Sequence, residues 1–259
     1  AAAVARRTGS TLARLVVPAA CCAAISLATS LAWSGPLCLV LWVLLPLLPA
    51  LASLRRARLD SSRSLQPAWR AVAQPPDAAR LASDWTRMGY EDAGTYDLIP
   101  SEPRQSFRFL VPPDGRELAV VAWAVDRDAA FVFCAVCSWD AAGTQWMTWN
   151  YPLPYGVRFA PDLRLQRCAE AGDPEVLLAQ HRQFLELNGV TVRPYPDLAR
   201  SGGAAAVWEH WLRRQLAHNM AVGWLRPLGD GGQVGYSWRG TLGAAWHFAL
   251  ALLGVRAHR

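Results

Sequence analysis

The longest apolar stretches of this chain lie at its start. Two runs without an acidic side chain occupy residues 11–54, and a Ser-Gly turn separates them. Each run supplies about 19 uncharged residues, which span about 28 Å at the α-helical rise of about 1.5 Å per residue. This length is close to the hydrocarbon thickness of a bilayer. The pattern predicts a two-helix transmembrane hairpin in residues 1–58, with spans at about 12–33 and 36–54.

Shorter apolar stretches later in the chain predict β-strands. They cover residues 107–111, 117–125, Ala129–Trp139 and 144–151, and turns of hairpin length that contain Pro, Asp or Gly separate them. The two middle stretches are apolar at both alternating sets of positions, so both faces of the sheet centre should be covered. Residues 77–259 are therefore predicted to form a soluble α+β domain with an antiparallel β-meander covered by helices.

Three stretches with helical periodicity are available for that cover. They lie at residues 77–88, Pro174–Leu187 and 204–222. The middle one has the clearest ends, because Asp173 is a preferred N-cap residue and Asn188 a suitable C-cap residue. We expect these helices to pack on the two faces of the meander.

Three further segments complete the predicted domain organisation. Residues 223–228 and 233–238 flank a glycine-rich turn and predict a hairpin. Residues 241–255 are apolar but too few to span a bilayer, so they form either a core helix or a helix in the membrane interface. The neighbouring anchor favours the interface. Residues 59–76 are rich in Ser, Gln and Pro and are interpreted as a linker.

Basic charge is concentrated at the ends of the predicted hairpin. Six arginines and no acidic residue precede Asp60, although the whole chain carries 26 basic and 20 acidic residues. The remainder is therefore neutral and has no basic stripe of the kind that binds phosphate backbones, which argues against nucleic acid as a partner. By the positive-inside rule, both termini and the soluble domain are expected in the cytoplasm, held by a bacterial inner membrane.

Cysteine usage agrees with a reducing compartment. Of six cysteines, three lie in the predicted spans, and Cys134, Cys137 and Cys168 lie in the domain without forming a disulfide framework. A secretory signal peptide is the competing interpretation of the N-terminus, but the second apolar run and the arginines within 55–58 would stop translocation. A third interpretation, a periplasmic domain behind an uncleaved signal, requires the three cysteines of the domain to tolerate oxidation.

No motif of the domain predicts a metal or a cofactor. Cys134 and Cys137 form a C-x-x-C pair, but residues three apart on a strand point to opposite faces, which favours packing over metal or redox chemistry. His210 and His218 are separated by about 12 Å along a helix, too far to share one metal ion. We therefore expect neither a metal nor a cofactor.

An aromatic group is a candidate ligand groove. Tryptophans and tyrosines crowd the end of the meander beside a proline-rich loop: Trp139, Trp146, Trp149, Tyr151 and Tyr155. Such a group can line a groove for an apolar ligand, a lipid or a partner peptide. The alternative is that the tryptophans fill the core between sheet and helices, and this alternative is favoured.

The favoured function is a membrane-anchored cytoplasmic domain for interaction or assembly. Its expected partners are the lipid bilayer and either another protein or a second copy of the chain. The alternative is a membrane-associated enzyme or binding protein acting on a lipid or another amphiphile. In such an enzyme the site candidates are His181 as a lone general base, Asp140 and Trp139. Catalysis is less favoured, because no nucleophile lies near His181 in sequence.

Overall fold

The computed structural model describes residues 47–68, 74–101, 104–126, 129–151, 156–229 and 232–252. The helices and strands, in chain order, are α1 (Leu47–Arg56), β1 (Leu59–Asp60), β2 (Ser64–Pro67), α2 (Pro76–Arg87), β3 (Glu91–Ile99), β4 (Arg104–Val111), β5 (Glu117–Asp126), β6 (Ala129–Trp139), β7 (Gln145–Trp149), β8 (Leu163–Arg167), α3 (Pro174–Leu187), a 3-10 turn (Pro196–Ala199), α4 (Gly203–Ala221), β9 (Leu225–Pro227), β10 (Gln233–Tyr236) and α5 (Trp238–Leu252).

Seven strands form the central sheet, in the order β2-β3-β4-β5-β6-β7-β8. Every neighbouring pair is antiparallel except β7 and β8, which are parallel. The predicted α+β class and antiparallel meander are therefore confirmed. The longest ladder joins β5 to β6 and runs from the pair Glu117 and Ser138 to the pair Asp126 and Ala129.

Both faces of the sheet are covered, as the two-sided apolar pattern of β5 and β6 predicts. On one face, Val120 of β5 belongs to a cluster that includes Trp208 of α4. On the other face, Val121 belongs to a cluster that includes Trp85 of α2 and Leu177 of α3. Because successive strand residues point to opposite faces, one strand contributes to both cores. Helix α3 has the predicted bounds, and α2 and α4 each begin and end one residue earlier than predicted.

The segment at 59–76, interpreted as a linker, contributes two short strands instead. Leu59 of β1 pairs with Val234 of β10, which also pairs with β9 to form a second, three-stranded sheet. Ser64 of β2 pairs with Ile99 at the edge of the central sheet. Edge strands are held by backbone hydrogen bonds and need no strong apolar alternation, so composition alone does not reveal them.

The predicted transmembrane spans lie largely outside the described residues. The span at 12–33 is wholly outside them, and α1 covers only the last part of the span at 36–54. Among the residues that the structure describes, no helix is both long enough and apolar enough to cross a bilayer. The hairpin therefore stays a prediction.

Helix α5 packs closely against the turn that precedes β9. A Cβ atom at Gly240 would lie 1.9 Å from the carbonyl oxygen of Trp224, and one at Gly243 would lie 2.0 Å from the Trp224 ring. The same Trp224 carbonyl accepts hydrogen bonds from the Ser237 backbone and hydroxyl, at 3.1 and 3.2 Å. Glycine at these two positions allows α5 to approach the domain this closely.

We expect Gly240→Ala to destabilise the protein, although alanine normally favours a helix over glycine. The added methyl group meets the Trp224 backbone, and overpacking of this kind costs about 1–3 kcal/mol in the free energy of unfolding. Differential scanning fluorimetry of the purified full chain should show a lower Tm. The matched control is Gly172→Ala, whose Cβ would have no atom within 4 Å. An unchanged or higher Tm for Gly240→Ala would contradict the expectation.

Candidate functional site

His181 lies in a buried polar cluster between α3 and the sheet. Its side chain is fully buried, with Nε2 at 2.9 Å from the Ser138 hydroxyl of β6 and Nδ1 at 2.9 Å from the Thr148 hydroxyl of β7. Burial, with a smaller contribution from the nearby Arg182 charge, lowers the pKa of His181 to about 3. The imidazole is therefore neutral at physiological pH. With both ring nitrogens hydrogen-bonded and no exposed surface, it joins α3 to two strands and cannot meet a substrate directly.

Asp140 organises the turn that connects β6 to β7. Its carboxylate accepts hydrogen bonds from the Ala142 and Thr144 backbone amides at 2.9 Å each and from the Trp146 indole nitrogen at 3.1 Å. Partial burial raises the pKa of Asp140, but these hydrogen bonds outweigh that effect and hold the pKa below its usual value. An ionised carboxylate with three internal donors is typical of a turn-stabilising residue.

The predicted aromatic group is divided between the two faces of the sheet. Trp139 and Trp149 are core residues on the face covered by α4. Trp146 lies on the opposite face, where its ring centroid is 5.3 Å from that of Phe184 on α3. Tyr151 is half-buried against Trp149, at 5.6 Å, and Tyr155 lies outside the described residues. Trp146 therefore does not share a groove with Trp139 and Trp149.

The two cysteines of the C-x-x-C pair occupy different cores. Cys134 belongs to the cluster under α2 and α3, whereas Cys137 belongs to the cluster under α4. Burial raises the pKa of each thiol to about 12, so neither is a thiolate at neutral pH. The packing interpretation is confirmed. Within the described ranges, no group of three or more His, Cys, Asp or Glu side chains is placed to hold a metal ion.

A charged network that the sequence did not reveal joins the sheet to the helix layer of α2 and α3. Glu117 of β5 accepts a hydrogen bond from the Tyr90 hydroxyl. It also forms an ion pair with Arg182 of α3, with 3.3 Å between Arg182 Nε and Glu117 Oε1. Burial, followed by the Glu117 charge, raises the pKa of Tyr90, which keeps the phenol protonated. Beside the network, a shallow cleft of about 500 Å³ is lined by both acidic and basic side chains and by Leu185. The three network residues are far apart in sequence, so no local pattern could have indicated them.

A small cavity lies between α4 and the three-stranded sheet. Its volume is about 150 Å³, and its apolar lining consists of Leu59, Leu98, Val157, Leu212, Leu216 and Leu225. Gln215 and Asn219 close part of it, and both use their side-chain oxygens to accept backbone amide hydrogens from Ala160 and Arg158, at 3.0 and 2.8 Å. Asp60, Ser61, Arg63 and Arg213 also line the cavity, so its wall combines apolar side chains with polar and charged ones.

The junction between α1 and α5 is built around one arginine. The Arg55 guanidinium lies 4.2 Å from the centre of the Trp238 ring and donates a hydrogen bond to the Tyr236 carbonyl oxygen at 3.4 Å. Only two residues separate the end of α1 from strand β1, which begins at Leu59 and pairs with β10. A cation over an indole ring and a backbone hydrogen bond together fix the end of α1 against the domain.

Comparison with known proteins adds no relative to this picture. No protein-family model matches the chain, and neither a curated protein nor a solved structure matches it. The class defined by the geometry is an α+β domain with a seven-stranded sheet.

We expect His181 to make the protein less stable as the pH falls below neutrality. Between about pH 6.5 and pH 3, the unfolded chain binds a proton at His181 that the folded chain excludes, so the free energy of unfolding falls with pH. From pH 7 to pH 5.5 the loss is about 1 kcal/mol. His181→Gln should remove this part of the pH dependence, as measured by Tm across that range.

The matched control for this measurement is His210→Gln, which replaces an exposed imidazole on α4. It should keep the pH dependence of the parent protein. If His181→Gln and the parent lose Tm equally between pH 7 and pH 5.5, the buried neutral imidazole is not the cause.

Proposed function

We propose that this chain is a membrane-anchored cytoplasmic domain that serves in interaction or assembly, and that its anchor holds the domain in a fixed orientation. The observation that carries the proposal is the direct connection between α1 and the fold. Helix α1 contains the end of the apolar run at 36–54, and only Ala57 and Arg58 separate it from β1. A domain joined in this way cannot rotate freely about its anchor.

The contacts of Arg55 support this fixed orientation. Arg55 stacks on Trp238 at the start of α5 and hydrogen-bonds the end of β10, so α1 contacts two elements that follow it by about 180 residues. Arg56 and Arg58 lie beside it, and α1 has no acidic residue in its first turn. Basic residues at the end of an apolar run are typical of the cytoplasmic side of a membrane.

The placement of the catalytic candidates also supports interaction over catalysis. His181 is fully buried and bonded through both ring nitrogens, and the Asp140 carboxylate is occupied by three donors of its own turn. Trp139 is 7% exposed and packs against Tyr195 at 4.8 Å between ring centroids. Each residue has a structural role that accounts for its environment.

The orientation can be tested with a cysteine at Leu187, which is 77% exposed at the end of α3. Leu187→Cys should not react with a membrane-impermeant maleimide in intact cells, and it should react once the cells are lysed. The parent chain is a suitable control, because Cys134 and Cys137 are buried and Cys168 is partly buried. Equal labelling of Leu187→Cys in intact and lysed cells would place the domain outside the cytoplasm and overturn the proposed topology.

The same variant tests the interaction part of the proposal. A short thiol-directed crosslinker applied in permeabilised cells should join Leu187→Cys to a discrete partner or to a second copy of the chain. Detergent extraction followed by electrophoresis would show the product. A chain that stays monomeric under crosslinking and in the extract would contradict an interaction or assembly role.

A second candidate function, amphiphile binding, is supported by the cavity beside α4. Its lining contains Leu59 and Leu225 of the sheet that also receives α1, so it lies on the side of the domain that holds the anchor. The cavity, of about 150 Å³, is too small for a whole lipid and can take only the end of one hydrocarbon chain. We expect native mass spectrometry of the detergent-purified chain to show one amphiphile adduct per chain. Leu216→Trp, which fills the cavity, should abolish the adduct, whereas Leu187→Trp should retain it. An adduct that both variants retain would contradict binding in this cavity.

A further inference from the structure

Helix α5 buries its small side chains and exposes its large apolar ones, the reverse of an ordinary surface helix. It buries small residues, among them Ala244, Ala245 and Ala249, whereas Trp238 is 65% exposed, Leu242 is 59% exposed and Trp246 is 61% exposed. The exposed residues are spaced four apart, which places them on one face of the helix. We call this set the α5 stripe. A helix on the surface of a water-soluble protein normally presents polar residues on its outer face.

The surroundings of the α5 stripe indicate what covers it. Helix α5 packs against α1, which contains the end of an apolar run, and the outer face of α1 carries Leu48 with 58% exposure. The first tryptophan of the stripe stacks under Arg55. The apolar surface is thus continuous with the predicted anchor and begins at its basic end.

The charged residues of α1 and α5 have one sign. The sequences of α1 and α5 contain arginines but no aspartate or glutamate. Arg56 and Arg58 are exposed beside Arg55, and Arg239 is exposed next to Trp238. A basic border around an apolar, tryptophan-containing stripe complements an anionic lipid surface, where arginines meet headgroup phosphates and indole rings lie at the level of the headgroups.

We propose that the α5 stripe contacts lipid and forms a second membrane contact of the domain, in addition to the apolar runs before Arg55. The inference rests on the proposed membrane anchoring and deepens it, since it names the bilayer as the occupant of this helix face. Helix α5 has 15 residues. At about 1.5 Å per residue it is too short to cross a bilayer, so the contact is with one leaflet.

Spin labelling of the full chain in lipid nanodiscs tests the proposal. The nanodiscs contain phosphatidylcholine and phosphatidylglycerol, and a nitroxide is attached to Leu242→Cys or Trp246→Cys. The background replaces Cys21, Cys22, Cys38 and Cys168 with alanine and keeps the buried Cys134 and Cys137. Leu187→Cys, at a position that is 77% exposed on α3, is the matched control. A Tm close to that of the background confirms folding of each variant.

The expected result is a several-fold higher ratio of oxygen to nickel-complex collisions at 242 and 246 than at 187. Oxygen partitions into lipid and the nickel complex stays in water, so this ratio reports lipid contact. Ratios at 242 and 246 that match the ratio at 187 would place the α5 stripe in water and overturn the proposal. Immobile labels shielded from both reagents would also overturn it, since protein would then cover the stripe, either the segment at 11–33 or a second copy.

Failure of this inference can be distinguished from failure of the proposed function. If only the lipid contact of the α5 stripe is wrong, the chain still copurifies with the nanodiscs, and Leu187→Cys is still labelled only after cell lysis. If the anchor itself is wrong, the chain separates from the nanodiscs and both sets of labels report water. A spin-spin broadening at 242 that disappears on dilution with unlabelled chain would identify the second copy as the cover.

Discussion

The two-sided apolar hairpin of β5 and β6 is the constraint on which the rest of the described structure depends. Val120 and Val121 are adjacent in sequence, yet each is fully buried in a different core. A sheet centre of this kind cannot face water on either side, because each exposed apolar side chain would forfeit about 1.5–3 kcal/mol. Helices α2 and α3 must therefore cover one face and α4 the other, which determines the three-layer arrangement.

Several buried polar side chains within these layers are hydrogen-bonded, and they join separate elements of the fold. His181 joins α3 to two strands through Ser138 and Thr148. Asp97 is buried on β3, the strand next to the edge, where it accepts a hydrogen bond from Ser106 of β4 at 2.6 Å and pairs with Arg104. An unpaired buried polar group costs about 1–3 kcal/mol, so each of these links favours one register over its neighbours. The residues with the most conspicuous chemistry in the sequence thus have structural roles in the fold.

The side of the domain that carries α1 differs from the rest in its surface. There Arg55 joins α1 to α5, the three-stranded sheet connects the first and last described parts of the chain, and large apolar side chains face outward. Elsewhere the exposed large apolar side chains are spread over three elements, namely Ile99 on β3, Val176 and Leu187 on α3, and Met220 on α4. Helix α3 also carries ion pairs such as that of Arg182 with Glu117. This asymmetry supports the proposals of a fixed orientation at a membrane and of lipid contact by α5.

The sequence by itself determined the features that depend on local periodicity: the meander, the bounds of α3, the cover on both faces and the opposite placement of Cys134 and Cys137. The parallel strand β8, the edge strand β2 and the network of Tyr90 with Glu117 were decided only by tertiary structure. Their partners are distant in the chain, and backbone pairing at an edge leaves no apolar alternation to detect. The sequence could not decide whether the aromatic group lines a groove or fills the core, because both use the same residue types.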